Sequence, residues 1–263
     1  MFSDFALAGD LASYRDDRAP SVRVLETDQE FETMPTDWLY ELALITEDID
    51  ATEVEESWIP ADAPNALTQL TGTDPVIGAP GDGGVTWTRQ TTPPLVFLKP
   101  RSAGIPDSFR AYLIAEAIAD IYLEHPEHPL AFFAGTYPDL QAALGGDPGL
   151  AYRLGDALTE AWCGLGRRSE IATWEGVYPT LYAAWGDAGD RLTGRIESLP
   201  SELANGSIGF AAATELACSA IKHDIDLPHP FDALDVAAFR EHGPSFALRW
   251  TERTVEQLDS SLD

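Results

Sequence analysis

From Pro106 almost to the C-terminal end, the chain repeats one local grammar: a proline near the start of a segment, an apolar face at helical spacing, and glycine at the exit. This predicts helices over 107–124, 138–145, 148–165, 179–198, 206–224, 232–241 and 244–259. Pro138, Pro148, Pro179 and Pro244 stand where a missing N–H does no harm. Gly145, Gly166 and Gly243 stand at ends, where positive φ is wanted, and Asp107 is placed to cap the first helix. The expected fold is therefore mainly α, with multi-helix orthogonal or solenoid-like packing.

Upstream, two short runs read as strands: Val85-Thr-Trp87-Thr and Leu95-Val-Phe97-Leu, joined by a QTTPP turn into a small β-hairpin over about 85–99. An α+β fold is the alternative. The first sixty residues predict a helix from Ser3 to about Tyr14, a strand at Val22–Leu25 and a helix from Thr36 to Asp48. In the last of these, Trp38, Leu39, Leu42, Ile45 and Ile49 recur at helical spacing. Residues 60–84 read as a surface loop ending in GAPGDGG, with no Gly-Lys-Ser/Thr to make it a phosphate cradle. A single domain over 1–263 is expected, comprising an acidic N-terminal segment (1–84), the hairpin and linker (85–105) and a helical core (106–263).

One motif recurs. Gly135-Thr-Tyr137-Pro138-Asp-Leu140-Gln-Ala142-Ala143-Leu-Gly145 returns as Gly176-Val-Tyr178-Pro179-Thr-Leu181-Tyr-Ala183-Ala184-Trp-Gly186. Aromatic before proline, proline starting a helix, small alanines and a closing glycine predict two similar helices. Two copies are too few for a stacked array, which needs three or more.

Charge bounds the setting. Asp and Glu number 44 against 16 Lys and Arg, for a net of -28, and Lys99 and Lys222 are the two lysines. The three successive thirds, 1–90, 91–175 and 176–263, carry nets of -15, -5 and -8, so the excess is distributed rather than a tail. Self-repulsion on this scale opposes a compact state in dilute buffer, but the Debye length falls to roughly 3 Å at 1 M salt. Arginine rather than lysine also suits bidentate pairing with carboxylates. The composition resembles that of cytosolic proteins of salt-accumulating halophiles such as the haloarchaea. The resemblance covers the whole chain and implies a salt-adapted cytoplasmic protein, but it is one of composition and points to no functional family.

Several classes are disfavoured. Phosphate-backbone binding needs cations the chain lacks, so nucleic acid is an unlikely partner and a protein partner is left open. No apolar run nears the ~18 residues of a membrane span. The opening MFSDFALAGDLAS lacks a basic region and is broken by Asp4 and Asp10, unlike a signal peptide. Cys163 and Cys218 lie in small-residue helical contexts and read as buried thiols. No nucleophile elbow, Cys-x-x-Cys or dinucleotide fingerprint occurs, so no cofactor is indicated. Asn205-Gly206-Ser207 reads as a helix start rather than a glycan site.

The residues with chemical potential cluster at the end of the 107–124 helix. Glu116, Asp120 and Glu124 fall at i, i+4, i+8, with Arg110 continuing the stripe, beside an apolar face from Phe109 to Ile121. Glu116 and Asp120 are the catalytic candidates for acid/base work. With His125 and His128 of the Glu124-His-Pro-Glu-His128 run they form the candidate metal set. His223 and His229 flank a later turn. Lys99-Pro100-Arg101 and Arg167-Arg168 stand beside helix starts, where cations oppose the dipole unless an anion or carboxylate intervenes, and pairing to neighbouring acids is expected. Glu215 belongs to a narrow polar stripe on the 206–224 helix. The leading expectation is an interaction or regulatory module, and the alternative is a metal-assisted or acid/base enzyme using that carboxylate and histidine cluster.

Overall fold

Leu95, Val96, Phe97 and Leu98 are all buried, as a central strand covered on both faces requires. The computed structural model describes residues 1–260, with side chains through Leu258. Its elements run β1 (Phe2–Asp4), α1 (Gly9–Arg18), β2 (Arg23–Thr27), α2 (Thr36–Leu42), β3 (Asp48–Ile49), α3 (Asn65–Thr68), β4 (Val85–Thr88), β5 (Thr91–Thr92) and β6 (Leu95–Leu98). Helices follow: α4 (Asp107–Tyr122), α5 (Pro129–Phe133), α6 (Tyr137–Ala143), α7 (Pro148–Ile171), α8 (Pro179–Ala204), α9 (Phe210–Ala220), α10 (Ala237–His242) and α11 (Pro244–Ser260). The fold is mainly helical with a small mixed sheet of order β1-β2-β6-β4.

The expected hairpin forms, with Val85 opposite Leu98 and Thr88 opposite Leu95. It is half of a wider sheet: β2 joins β6 in parallel, and β1 pairs antiparallel with β2. The strand expected at 22–25 is thus present, whereas the helix expected from Ser3 begins only at Gly9. Phe2 accounts for the difference, since its ring packs 6.0 Å from Trp38 and 5.7 Å from Phe97 and draws the chain start onto the sheet. The helix at Thr36 also stops early, at Leu42. Glu41, Glu47 and Asp48 crowd a helix C-terminus that repels anions. The Glu47 and Asp50 N–H groups bond instead to Thr92 O and Gln90 O, at 2.7 and 2.9 Å.

The chain divides into two compact units: Met1–Glu53 with Gln69–Glu127 and Glu170–Trp185, and Val54–Thr68 with His128–Ser169 and Gly186–Asp263. In the first, Leu25, Leu95 and Phe97 share one core with Phe31, Met34, Trp38, Leu42 and Ile77. Strand alternation turns Val24, Val96 and Leu98 to the other face, and α4 packs on β4, β6 and α1. Tyr14 is fully buried between Trp174 and Tyr178, ring centroids 5.0 and 5.3 Å away. Asp10 caps the start of α8, accepting from Thr180 N and Oγ1 at 2.7 and 2.6 Å.

In the second unit α11 packs against α6 and α10. Asp147 caps α7, accepting from Gly149 and Leu150 N–H at 2.9 and 3.0 Å, with Pro148 at the first helical position. Gly155 permits a close approach: a Cβ there would lie 3.3 Å from Tyr137 and 3.4 Å from Leu140 and Pro129. Cys163 and Cys218 are buried and stand outside any disulfide.

The two copies of the recurring motif start alike and finish differently. Tyr137 and Tyr178 are buried, as are Leu140 and Leu181, and each proline opens a helix. Gly145 leaves α6 at φ +70, but Gly186 lies inside α8, which continues past Pro200 to Ala204. Ala142 and Ala183 are exposed, so the first alanine of each pair makes no close helix contact. Asn205-Gly206-Ser207 ends α8 rather than starting the next helix: Gly206 sits at φ +72, and Ser207 N–H donates to Asn205 Oδ1 at 2.8 Å. Asp107 is the first residue of α4 rather than its cap, and its carboxylate takes Arg110 at 2.7 Å.

Candidate functional site

Two acids of the predicted face of α4 are buried, Glu116 at 6% exposed and Asp120 at 7%, while Glu124 is exposed. The helix ends in a left-handed exit. Glu124 takes φ +54, its N–H bonds to Ile121 O, and His125 N–H bonds to Asp120 O. This is the paired 5→2 and 6→1 pattern of a Schellman cap, with Glu124 where glycine usually stands. The contact that normally accompanies such a cap is apolar; here it is polar, His125 Nδ1 to Asp120 Oδ1 at 2.8 Å, with the imidazole fully buried. Arg89 then donates to His125 O at 2.9 Å.

Glu127 completes this corner. Its carboxylate accepts from Thr88 Oγ1 (2.9 Å), Arg89 N–H (2.6 Å) and Gln90 Nε2 (2.9 Å), which ties the chain after α4 to the turn after β4. Burial nonetheless raises its pKa. His128 belongs to the second unit. Its Nδ1 accepts the Ala131 N–H at 3.1 Å, capping α5, and burial pushes its pKa down to about 4. Among the predicted residues the structure therefore joins Asp120 to His125 within the first unit and gives His128 a separate capping role. Among the described residues, no group of three or more His, Cys, Asp or Glu is arranged to hold a metal ion.

The predicted cations pair with carboxylates, Lys99 more loosely than the rest. Arg101 binds Glu30 at 2.5 Å and Glu32 at 2.7 Å, and Arg168 binds Asp224 and Asp235, both at 2.7 Å. Arg167 pairs with Glu160, and Glu215 takes Arg153 through two bonds of 2.7 and 3.0 Å. Lys99 is fully buried, its Nζ 3.9 Å from Asp82 Oδ2 and 4.6 Å from the Phe31 ring centre, with no hydrogen bond.

Lys99 lies at the carboxyl ends of β2 and β6, the parallel pair of the sheet, and there the first unit opens a cleft of about 500 Å³. It is lined by Met1–Ser3, by Glu26–Asp28 as β2 ends, by Leu98–Pro100 as β6 ends, and by Ser102, Ala103 and Arg110. Open sheets with parallel strands characteristically bind ligands outside these strand ends, and the volume falls within the ~300–1,000 Å³ range of small-molecule sites. Residues 1–258 match a family described as a family of unknown function (DUF7089). The chain belongs to that family. Neither a curated protein nor a solved structure matches it.

In this DUF7089 chain the lining residue Lys99 is paired with Asp82, which stands behind the cleft wall. Burial lowers the Lys99 pKa against the attraction of Asp82, with Arg101 lowering it further. Burial raises that of Asp82 against the opposing pull of Lys99 and hydrogen bonds from Thr86 Oγ1 and Ala79 N–H, 2.9 and 3.0 Å long. The sequence marked the Lys99-Pro-Arg run as a cation pair beside a helix. It did not mark the division of labour, in which Arg101 is neutralised at the surface and Lys99 is enclosed.

Proposed function

We propose that this DUF7089 protein is a salt-adapted cytoplasmic interaction or regulatory module that responds to a small polar ligand held at the carboxyl ends of β2 and β6. The observation that carries this reading is Lys99, a residue of that cleft's lining whose amine is enclosed behind the wall and makes no hydrogen bond. An ammonium offers three donors, and burying them without acceptors is costly. A ligand with a carboxylate, phosphate or carbonyl oxygen would satisfy them. The salt-adapted setting is supported by the net charge of -28 and by arginines such as Arg23, Arg101 and Arg168 that are held by carboxylates.

The test is thermal unfolding in molar KCl with a panel of short carboxylates, amino acids and sugar phosphates. A ligand at about 100 times its Kd adds about 2.7 kcal/mol of stability, and Lys99→Met is expected to abolish the response. The reading fails if no compound stabilises the wild type, or if the variant responds equally.

A second reading, acid/base catalysis by Glu116 and Asp120 with His125, is favoured by the 2.8 Å Asp120–His125 bond, which would orient an imidazole for proton transfer. A working base must titrate. Absence of a His125 ring transition between about pH 5 and 8, followed by NMR, removes this reading.

A further inference from the structure

The second unit holds a cleft of different character. It opens between the His229-Pro230 turn and α11, has a volume of about 190 Å³, and is lined by Arg249, Arg253, His229, Pro230, Phe246 and Trp250 among others. Among the described residues no Asp or Glu is in that lining, in a chain whose acids outnumber its bases 44 to 16. At the rim Asp232 lies 3.4 Å from His229, and Glu252 and Glu256 share α11 with the two arginines without lining the cleft. Among the described residues neither Arg249 nor Arg253 has an ion pair or a side-chain hydrogen bond.

That arrangement runs against local stability. Arg249 and Arg253 stand at i, i+4, a spacing at which like charges repel on a helix. Some exposed arginines hold a carboxylate, as Arg153 does Glu215 and Arg101 does Glu30 and Glu32, while Arg191 and Arg195 on α8 have none among the described residues; what sets Arg249 and Arg253 apart is that both line one cleft. Two guanidinium forks in the lining of one cleft offer the donor chemistry that a bound oxyanion takes.

The walls are apolar and fixed. Trp250 is wedged against Phe210 and Phe231, centroids 6.2 and 6.3 Å away, and its Nε1–H donates to Pro230 O at 3.0 Å. Phe246 stacks on Phe239 at 5.4 Å. A site whose walls are already packed loses little entropy on binding. A cleft of about 190 Å³ suits the compact end of a small molecule.

We propose that this cleft binds a small amphipathic anion: a phosphate or carboxylate head gripped by Arg249 and Arg253, on a compact apolar body packed against Trp250, Phe246 and Pro230. The site is independent of the strand-end cleft. The Arg pair supplies head-group affinity, and the walls discriminate against bare inorganic anions.

The experiment is NMR titration of the full chain in molar KCl, reading the Trp250 indole N–H, whose acceptor Pro230 lines the cleft. The probes are phenyl phosphate, benzoate, inorganic phosphate and phenol. Phenyl phosphate or benzoate should shift that resonance saturably and bind more tightly than inorganic phosphate or phenol. Each charge-assisted contact is worth about tenfold in affinity, so R249A/R253A should lose about a hundredfold. Both arginines are exposed, and the double variant's helicity serves as a folding control. A wild type without saturable shifts, or a folded double variant that binds equally well, overturns the site. Equal affinity for inorganic phosphate and phenyl phosphate overturns the assignment of an apolar body.

Discussion

The Lys99–Asp82 pair allows a quantitative test of how the first unit handles buried charge. The charges lie 3.9 Å apart, with Lys99 fully enclosed and the Asp82 side chain 30% exposed. Unit charges at 4 Å interact by about 4 kcal/mol at an effective dielectric of 20 and about 1 kcal/mol in water. Partial solvent contact at Asp82 places the coupling between these, at about 2 kcal/mol. Asp82→Asn keeps an acceptor for Ala79 and Thr86 but leaves the lysine unpaired, a loss of about 2.5 kcal/mol. Lys99→Met removes the buried charge and leaves Asp82 its two hydrogen bonds, a loss of about 0.5 kcal/mol, and the double variant should lose about 1 kcal/mol. The assay is urea unfolding of all four proteins in molar KCl, followed by circular dichroism. A pH series adds a sign. Because the folded lysine has the lower pKa, the unfolded chain binds the extra proton between the folded and ordinary lysine values, so stability rises with pH through that window. A coupling below about 0.5 kcal/mol, or an Asp82→Asn variant as stable as wild type, would refute the reasoning.

Three further outcomes are expected. Glu124→Gly relieves a non-glycine residue at φ +54 and should raise stability by about 1 kcal/mol in urea unfolding, because glycine takes this conformation without steric cost; no gain would mean the local backbone carries no strain. Because the His128 pKa is pushed down to about 4, stability should fall by about 3 kcal/mol as pH drops from about 6.5 towards 4. His128→Asn, which keeps the capping acceptor, should flatten that part of the profile, and an unchanged slope would assign the effect elsewhere. Finally, helicity and melting temperature should rise as KCl increases from about 0.1 to about 1 M and the Debye length falls from ~10 to ~3 Å; an unchanged melting temperature would argue against salt adaptation.

What was legible in the sequence was local. Proline before an apolar face located the starts of α4, α6, α7, α8 and α11, and Gly145 the end of α6, because start and stop chemistry acts within a few residues; Gly166, expected at a helix end, lies inside α7, and α8 runs past 198 to Ala204. The hairpin was legible for the same reason, through two β-rich runs and a tight turn. Where tertiary contacts decided the outcome, local pattern failed. Ser3–Tyr14 carries a helical spacing, yet Phe2 and its pairing with β2 hold the first residues extended. Helix α5 was missed because its cap is an uncommon one, the imidazole of His128. The 116–128 cluster was correctly seen as a concentration of titratable groups, but its hydrogen-bond partners Arg89 and Gln90 lie some 35 residues away in sequence, and no spacing rule reaches them.

Charge statistics point to a different way of searching such a chain. With carboxylates in nearly threefold excess, acids side by side carry little information, since chance alone assembles them on any exposed face. A cation is scarce, and so is a cation that the fold declines to neutralise. Arg101 and Arg168 each hold two carboxylates, whereas Lys99 is enclosed with Asp82 but without a hydrogen bond, and Arg249 and Arg253 line a cleft with no acid in its walls among the described residues. Leaving a buried amine unsatisfied, or two arginines together without a carboxylate, costs stability that a bound anion would return. The positions to probe first are therefore where the excess negative charge is missing.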